Sequence, residues 1–259
     1  MTTILRRFQA GSVAAVLFFA LSASLHAQGV NVPPRFVIDY PNASTIPRAS
    51  FDLNLRNFAN GGMVAGATIG MTDRFMLGVT FGGENVLGEA GINWHPFAGA
   101  SARFRLVSET YTMPAVAIGF NSQGFGPYIE RDKRFQKKSN GFYAVVSKNY
   151  EFFDHLSVHI GVNYSLEARE VDDDLNLFTG LDIGLSHELS ILGEYDFALN
   201  DNAGGVESVG DGKGYLNAGI RYNIKDAVYF EFYFLDLLVN FPNAAGSQRA
   251  MKLTYFEFF

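Results

Sequence analysis

Leu253-Thr254-Tyr255-Phe256-Glu257-Phe258-Phe259 closes this chain, with aromatics at four of the last five positions. Chain ends in water usually fray and are polar. A strand that must close a lipid-facing barrel has a reason to be apolar to its last residue, because closure leaves no edge and pairs every backbone group. Met251, Leu253, Tyr255 and Phe259 keep a period-two apolar face, which Glu257 interrupts. Such an amphipathic last strand with a terminal Phe is the form of assembly signal that bacterial outer-membrane barrels present. The reading therefore starts from an outer-membrane location.

The other end of the chain agrees. Arg6 and Arg7 make a positive start, Ser12 to Ala23 is apolar, and small residues lead to Ala27. The apolar run is too short for a membrane-spanning helix, so residues 1–27 read as a cleaved secretory signal peptide. Its removal takes the net charge from −6 to −8, since its two charges are Arg6 and Arg7.

Composition excludes several function classes. With no Cys there is no disulfide, no thiol chemistry, no thiolate metal site and no lipidated N-terminal cysteine. Phe (25), Tyr (12) and Gly (27) are abundant, which suits strands, tight turns and interfacial girdles. An acidic chain lacks the clustered Lys/Arg that neutralise phosphates, so no nucleic-acid partner is expected. The expected surroundings are outer-membrane lipid and lipopolysaccharide, the barrel-assembly machinery and a polysaccharide. No cofactor is expected.

No apolar run after the signal reaches the roughly 20 residues of a membrane helix. Short alternating segments recur instead. Leu156, Val158, Ile160, Val162 and Tyr164 alternate with Ser157, His159, Gly161, Asn163 and Ser165. Phe51, Leu53 and Leu55 alternate with Asp52, Asn54 and Arg56, and Val228 to Phe234 with Tyr229, Glu231 and Tyr233. Strands are expected near 51–59, 62–71, 75–82, 102–108, 114–121, 141–149, 155–165, 175–185, 188–197, 214–223, 227–236 and 249–258. Twelve is even, as bacterial single-chain barrels require, and the connections alternate short and long, as periplasmic turns and external loops do. The fold class is therefore an all-β, antiparallel up-and-down transmembrane barrel over residues 51–259. Residues 28–50 carry Pro33, Pro34, Pro41 and Pro47, which cannot donate to a ladder. They read as an extended segment, either periplasmic or turned into the lumen as a plug.

The same alternation sends Arg103, Arg105, His159, Asp182, Glu194, Asp196, Arg221 and Glu231 inward. Charges in a narrow barrel must pair or stay hydrated, so they form either a bracing network or a selective constriction. Tyr143, Asn149, Asn163 and Tyr215 would flank them. Among the external loops, 130–138 is basic and 167–174 acidic. The basic loop either grips lipopolysaccharide phosphates or an anionic polysaccharide, or is a solvated loop that pairs with its acidic neighbour. His155 and Ser157 share one strand face with Glu151 and Asp154 nearby, but spacing alone does not make a nucleophile and base, and no enzyme is expected.

Several short segments in order carry a family resemblance. They are Tyr40-Pro-Asn-Ala43, Ile69-Gly-Met-Thr-Asp-Arg74, Pro114-Ala-Val-Ala-Ile-Gly119 and Gly141-Phe-Tyr-Ala-Val-Val-Ser-Lys148. Gly161-Val-Asn-Tyr164, Leu192-Gly-Glu-Tyr-Asp196, Asn200 and Asn217-Ala-Gly-Ile-Arg221 follow. From about Tyr40 to Phe259 the chain resembles the YjbH-like outer-membrane barrels, though it is shorter than their larger members. The resemblance implies a non-enzymatic part in exopolysaccharide export or surface attachment, with no catalytic residues to carry over. A passive porin-like channel and a plugged structural or adhesive barrel are the alternatives.

Overall fold

A computed structural model describes residues 34–259, apart from 90, 170, 204–209 and 242–245. The expected signal peptide, 1–27, lies outside the described residues. Fifteen strands follow in order among the described residues: β1 (Ser50–Phe58), β2 (Gly62–Thr72), β3 (Phe75–Glu84), β4 (Asn93–Trp94), β5 (Gly99–Val107), β6 (Ala115–Asn121), β7 (Phe125–Ile129) and β8 (Arg134–Lys137). After them come β9 (Gly141–Tyr150), β10 (His155–Tyr164), β11 (Asn176–Gly184), β12 (Leu189–Asp196), β13 (Tyr215–Ile224), β14 (Val228–Leu235) and β15 (Gln248–Phe258).

Twelve of these close a ring: β1, β2, β3, β5, β6 and β9 to β15, each antiparallel to its neighbours. The last strand closes it, as its composition implied. β15 pairs with β1 from Ser50↔Phe258 to Arg56↔Lys252, and Phe259 donates its N–H to Ala49 O at 2.9 Å. Phe51 packs on Phe259 with ring centroids 5.2 Å apart. Glu257, the break in the apolar face, accepts a hydrogen bond from the Tyr255 hydroxyl two residues back. Each expected strand lies within about three residues of an observed one.

The period-two pattern sorts the wall. Leu53, Ile69, Phe104, Ile118, Ile160, Leu181, Ile220, Phe230 and Leu253 are exposed on the outside, where acyl chains replace water. Asp52, Arg103, His159, Glu194, Arg221 and Glu231 on the same strands are buried inside. Among the described residues no helix is long and apolar enough to cross a membrane. A closed barrel of this kind, apolar outside and polar inside, belongs in the bacterial outer membrane. Turns such as 73–74, 151–154 and 225–227 are short and periplasmic, and the segments 85–98, 122–140 and 236–247 are long and external. The first external turn is the tight exception. Asn60 and Gly61 take φ of 60° and 62°, and a Cβ on Gly61 would fall 2.4 Å from Leu87 O.

Two features depart from the sequence reading. Residues 34–49 are not an extended run: Phe36 bridges Pro41, and Val37 donates its N–H to Tyr40 O at 3.0 Å, folding the segment back on itself. The basic external loop is not a solvated one either. It forms the β7–β8 hairpin, and Arg134, Phe135, Lys137 and Lys138 are buried.

Candidate functional site: the occupied lumen

The folded segment 34–47 hangs inside the barrel with both limbs toward the periplasmic end. Its return limb meets the first periplasmic turn, where Thr45 Oγ1 donates to Asp73 O at 2.8 Å and the Arg48 N–H to Asp73 Oδ1 at 3.0 Å. At its tip, the successive N–H groups of Ile38, Asp39 and Tyr40 all donate to Glu194 Oε2, at 3.0, 2.9 and 2.8 Å. Such a nest of backbone donors is a natural seat for a carboxylate. Tyr40 adds its hydroxyl to Asp196 at 2.7 Å, and its ring stacks on Phe178 at 4.3 Å.

Two arginines hold the limbs. Arg103 Nη1 donates to Arg35 O at 2.9 Å and to Ser44 O at 2.7 Å, while its Nε donates to the Tyr143 hydroxyl at 2.8 Å. Arg221 Nη2 donates to Phe36 O at 2.9 Å and Val37 O at 3.1 Å. The same guanidinium pairs with Glu231 at 2.7 Å and with Asp182. Ser147 accepts the Ala43 N–H at 2.9 Å and lies 2.8 Å from His159 Nδ1. Arg103 on β5 and the wall from β9 to β14 therefore grip the segment through inward charges that the alternation picked out.

From the outer side, β7–β8 reaches down to the same tip. Lys137 Nζ lies 3.0 Å from Asp39, 3.4 Å from Asp196 and 3.9 Å from Glu194, with the Tyr40 ring 4.6 Å beneath it. Arg56 Nη2 reaches the other oxygen of Asp39 at 2.6 Å, its guanidinium 4.8 Å over Phe125. Burial pushes the Asp39 carboxyl up, but Lys137 and Arg56 outweigh it and hold it at about 2. Burial pulls Lys137 down, and the carboxylates around it win, holding its ammonium well above the ordinary lysine value. Higher up, Arg134 pairs with Asp201, and Glu167 accepts the N–H groups of Phe135 and Ser139 at 2.9 and 3.0 Å. The basic loop thus does meet the acidic segment 167–174, through backbone donors to Glu167 and through Lys138, whose Nζ donates to Asp172 O at 2.9 Å. An aromatic clamp completes the docking: His95 stacks on Phe58 at 5.9 Å and meets Phe135 edge-on at 4.9 Å.

The lumen is not filled. Beside the two inserted hairpins lies a cavity of about 140 Å³, lined by Asn54, Thr68, Thr80 and Ser101 and by the cations Arg35, Arg56 and Lys137. It reaches the outer loops at Asp236, Phe241 and Gln248. A second cavity of about 30 Å³ lies toward the periplasmic end at Tyr229, Thr254 and Phe256. The two spaces share Arg35, Phe36 and Lys252.

Seven of the eight inward charges are buried, and Arg103, Glu194, Asp196 and Arg221 bind the segment directly. Arg105 is half-buried at the periplasmic rim, donating to Asp73 O at 2.8 Å, and belongs to no passage. Tyr143, Asn163 and Tyr215 are buried inside, while Asn149 is at the rim against Glu109. The sequence reading missed Arg35, Asp39, Lys137 and Lys252. Lys252 was within reach, since it alternates with Met251 and Leu253. His155 and Ser157 do not face each other chemically: His155 lies 3.0 Å from Asp154 and 3.2 Å from Asp182, and Ser157 donates to Asn149.

Fold and lumen together define an outer-membrane β-barrel with a partly obstructed interior. No protein-family model and no curated protein matches this sequence. Among solved structures it is similar to a KdgM porin, at 13% identity over 81% of this chain and 99% of that one, with a TM-score of 0.48. It is also similar to a NanC porin, at 9% identity over 81% and 99%, with a TM-score of 0.45. A likeness this distant says nothing of what this barrel carries.

Proposed function

We propose that the protein is a porin-like channel for small solutes, non-enzymatic, whose passage runs beside the inserted hairpins and is narrowest at Arg35, Phe36 and Lys252. The observation that carries this reading is that the two lumen spaces reach opposite mouths and share those three residues. A barrel that served only as a scaffold gains nothing from cavities lined by charged groups toward both mouths, whereas a pore requires them. The exopolysaccharide role that the family resemblance implies would use the same barrel, but a passage obstructed on one side suits small solutes better than a polymer.

Refolded protein lacking residues 1–27 is expected to give steady single-molecule currents in a planar bilayer. Replacing Lys252 by Gln is expected to shift the reversal potential in a salt gradient. A barrel that inserts and stays silent at all voltages contradicts the proposal.

A further inference from the structure

We infer that this passage is a selective site for organic anions with an apolar body, an aromatic carboxylate being the simplest, in which Arg35, Arg56 and Lys252 receive the carboxylate. The inference rests on the passage just proposed and names what it takes.

Each of these cations is paired, yet the pairs are layered. Side-chain exposure is 9% for Arg35 against 0% for its partner Asp52, 11% for Arg56 against 3% for Asp39, and 15% for Lys252 against 3% for Glu231. The carboxylates sit behind and the cations in front, so a solute meets positive charge. Asp39, the acid nearest the space, is already saturated by Arg56, Lys137 and the Asn217 amide. Asp236, at the outer mouth, accepts the N–H groups of Asn240 and Phe241. The Arg35 side chain lines both spaces.

The rest of the lining is unusually apolar for the inside of a barrel. Phe36, Ile38, Phe58, Val64, Phe125 and Leu235 all border the larger space. A few convergent charged groups in a mostly apolar cavity are the usual form of a small-molecule site. An inorganic anion or a polyhydroxylated sugar acid would leave those six side chains facing water. An aromatic carboxylate covers them while its head reaches the cations. The guanidinium of Arg56 is held for that role, 4.8 Å over Phe125 and 5.2 Å over Tyr233.

The test is calorimetric titration of the protein in lipid nanodiscs with four probes: phenylacetate, galacturonate, benzyl alcohol and benzylamine. Phenylacetate is expected to bind at least tenfold more tightly than the other three. Arg56→Gln and Lys252→Gln are each expected to weaken it tenfold or more, and Arg56→Lys by less. Heat-modifiable gel mobility reports whether each variant keeps its barrel. The inference is overturned if galacturonate or benzyl alcohol binds as well as phenylacetate, if empty nanodiscs take up as much, or if folded Arg56→Gln binds as the parent does. Bilayer currents separate this from the channel reading. Phenylacetate binding to a silent barrel sinks the channel and keeps the site, whereas currents with no preference among the probes keep the channel and sink the site.

Discussion

The wall from β9 to β14 and the outer stretch that runs from β2 through β3 to the start of β5 are built from the same alternation and do opposite things inside. On the first, Arg221, Glu194, Asp196 and Ser147 reach inward and are engaged with residues 36–43. On the second, Gly66, Gly78, Thr80 and Ser101 stand inward, and a Cβ on Gly78 would already lie 2.6 Å from Ser101 Oγ. Small residues crowd their own neighbours but reach nothing across the lumen, so the cavity lies beside them. Asp52 and Arg56 on β1 and Arg103 further along β5 still hold the inserted segment, and only the stretch of small residues leaves room.

Removing the gripped segment is the largest way to break this contrast. Deleting residues 34–47 strips both walls to a similar state, and the bilayer current is expected to rise several-fold. An unchanged current would mean that the segment obstructs nothing.

A smaller change targets the tip. Glu194→Ala leaves three backbone donors without their carboxylate and Lys137 with two acids instead of three. Removing one partner from a buried charged cluster costs about 3–5 kcal/mol. The tip is expected to detach intermittently, giving brief openings to the level of the deletion, while the barrel still migrates as folded. A single steady level like the parent's would place the grip elsewhere.

The smallest expected effect is in pH. Asp39, held at about 2, contributes stability above its ordinary 3.8 that is lost only as pH falls through about 2. Lys137, held above 10.5, contributes fully below that value. The Asp39–Lys137 pair itself is therefore expected to stay charged from pH 4 to 9. The aromatic clamp behaves differently. Burial without a hydrogen-bond partner holds His95 below 6.5, so the undocked state takes the proton first. Docking is complete above pH 6.5 and weakens as pH falls below it. Current noise is expected to grow at pH 5 in the parent and to stay level in His95→Phe.

How much of this could be read from the chain divides along physical lines. The twelve wall strands were legible because each must present an apolar face to lipid, which forces period two into the sequence. The inward charges followed from the same parity, and Arg103, Glu194, Asp196 and Arg221 proved to be the ones that bind the inserted segment. The inserted pieces were not legible. Nothing in Arg131 to Lys138 distinguishes a solvated basic loop from one tucked into a lumen, because its burial depends on Asp39, Asp201 and Glu167, far away in the chain. The prolines of 33–47 excluded a wall strand but left the direction of the segment open. Long-range pairing of charge decided both.

The central claim is that solutes pass along the small-residue wall and not along the gripped one. The chain has no cysteine, so single substitutions report cleanly. The most direct measurement is bilayer current during exposure to a charged thiosulfonate reagent, comparing Ser101→Cys with Ser147→Cys. Ser101→Cys is expected to react within the open channel and lower the current, and Ser147→Cys, covered by Ala43, to remain unmodified. Block at Ser147→Cys with none at Ser101→Cys would contradict the account and put the passage on the other wall.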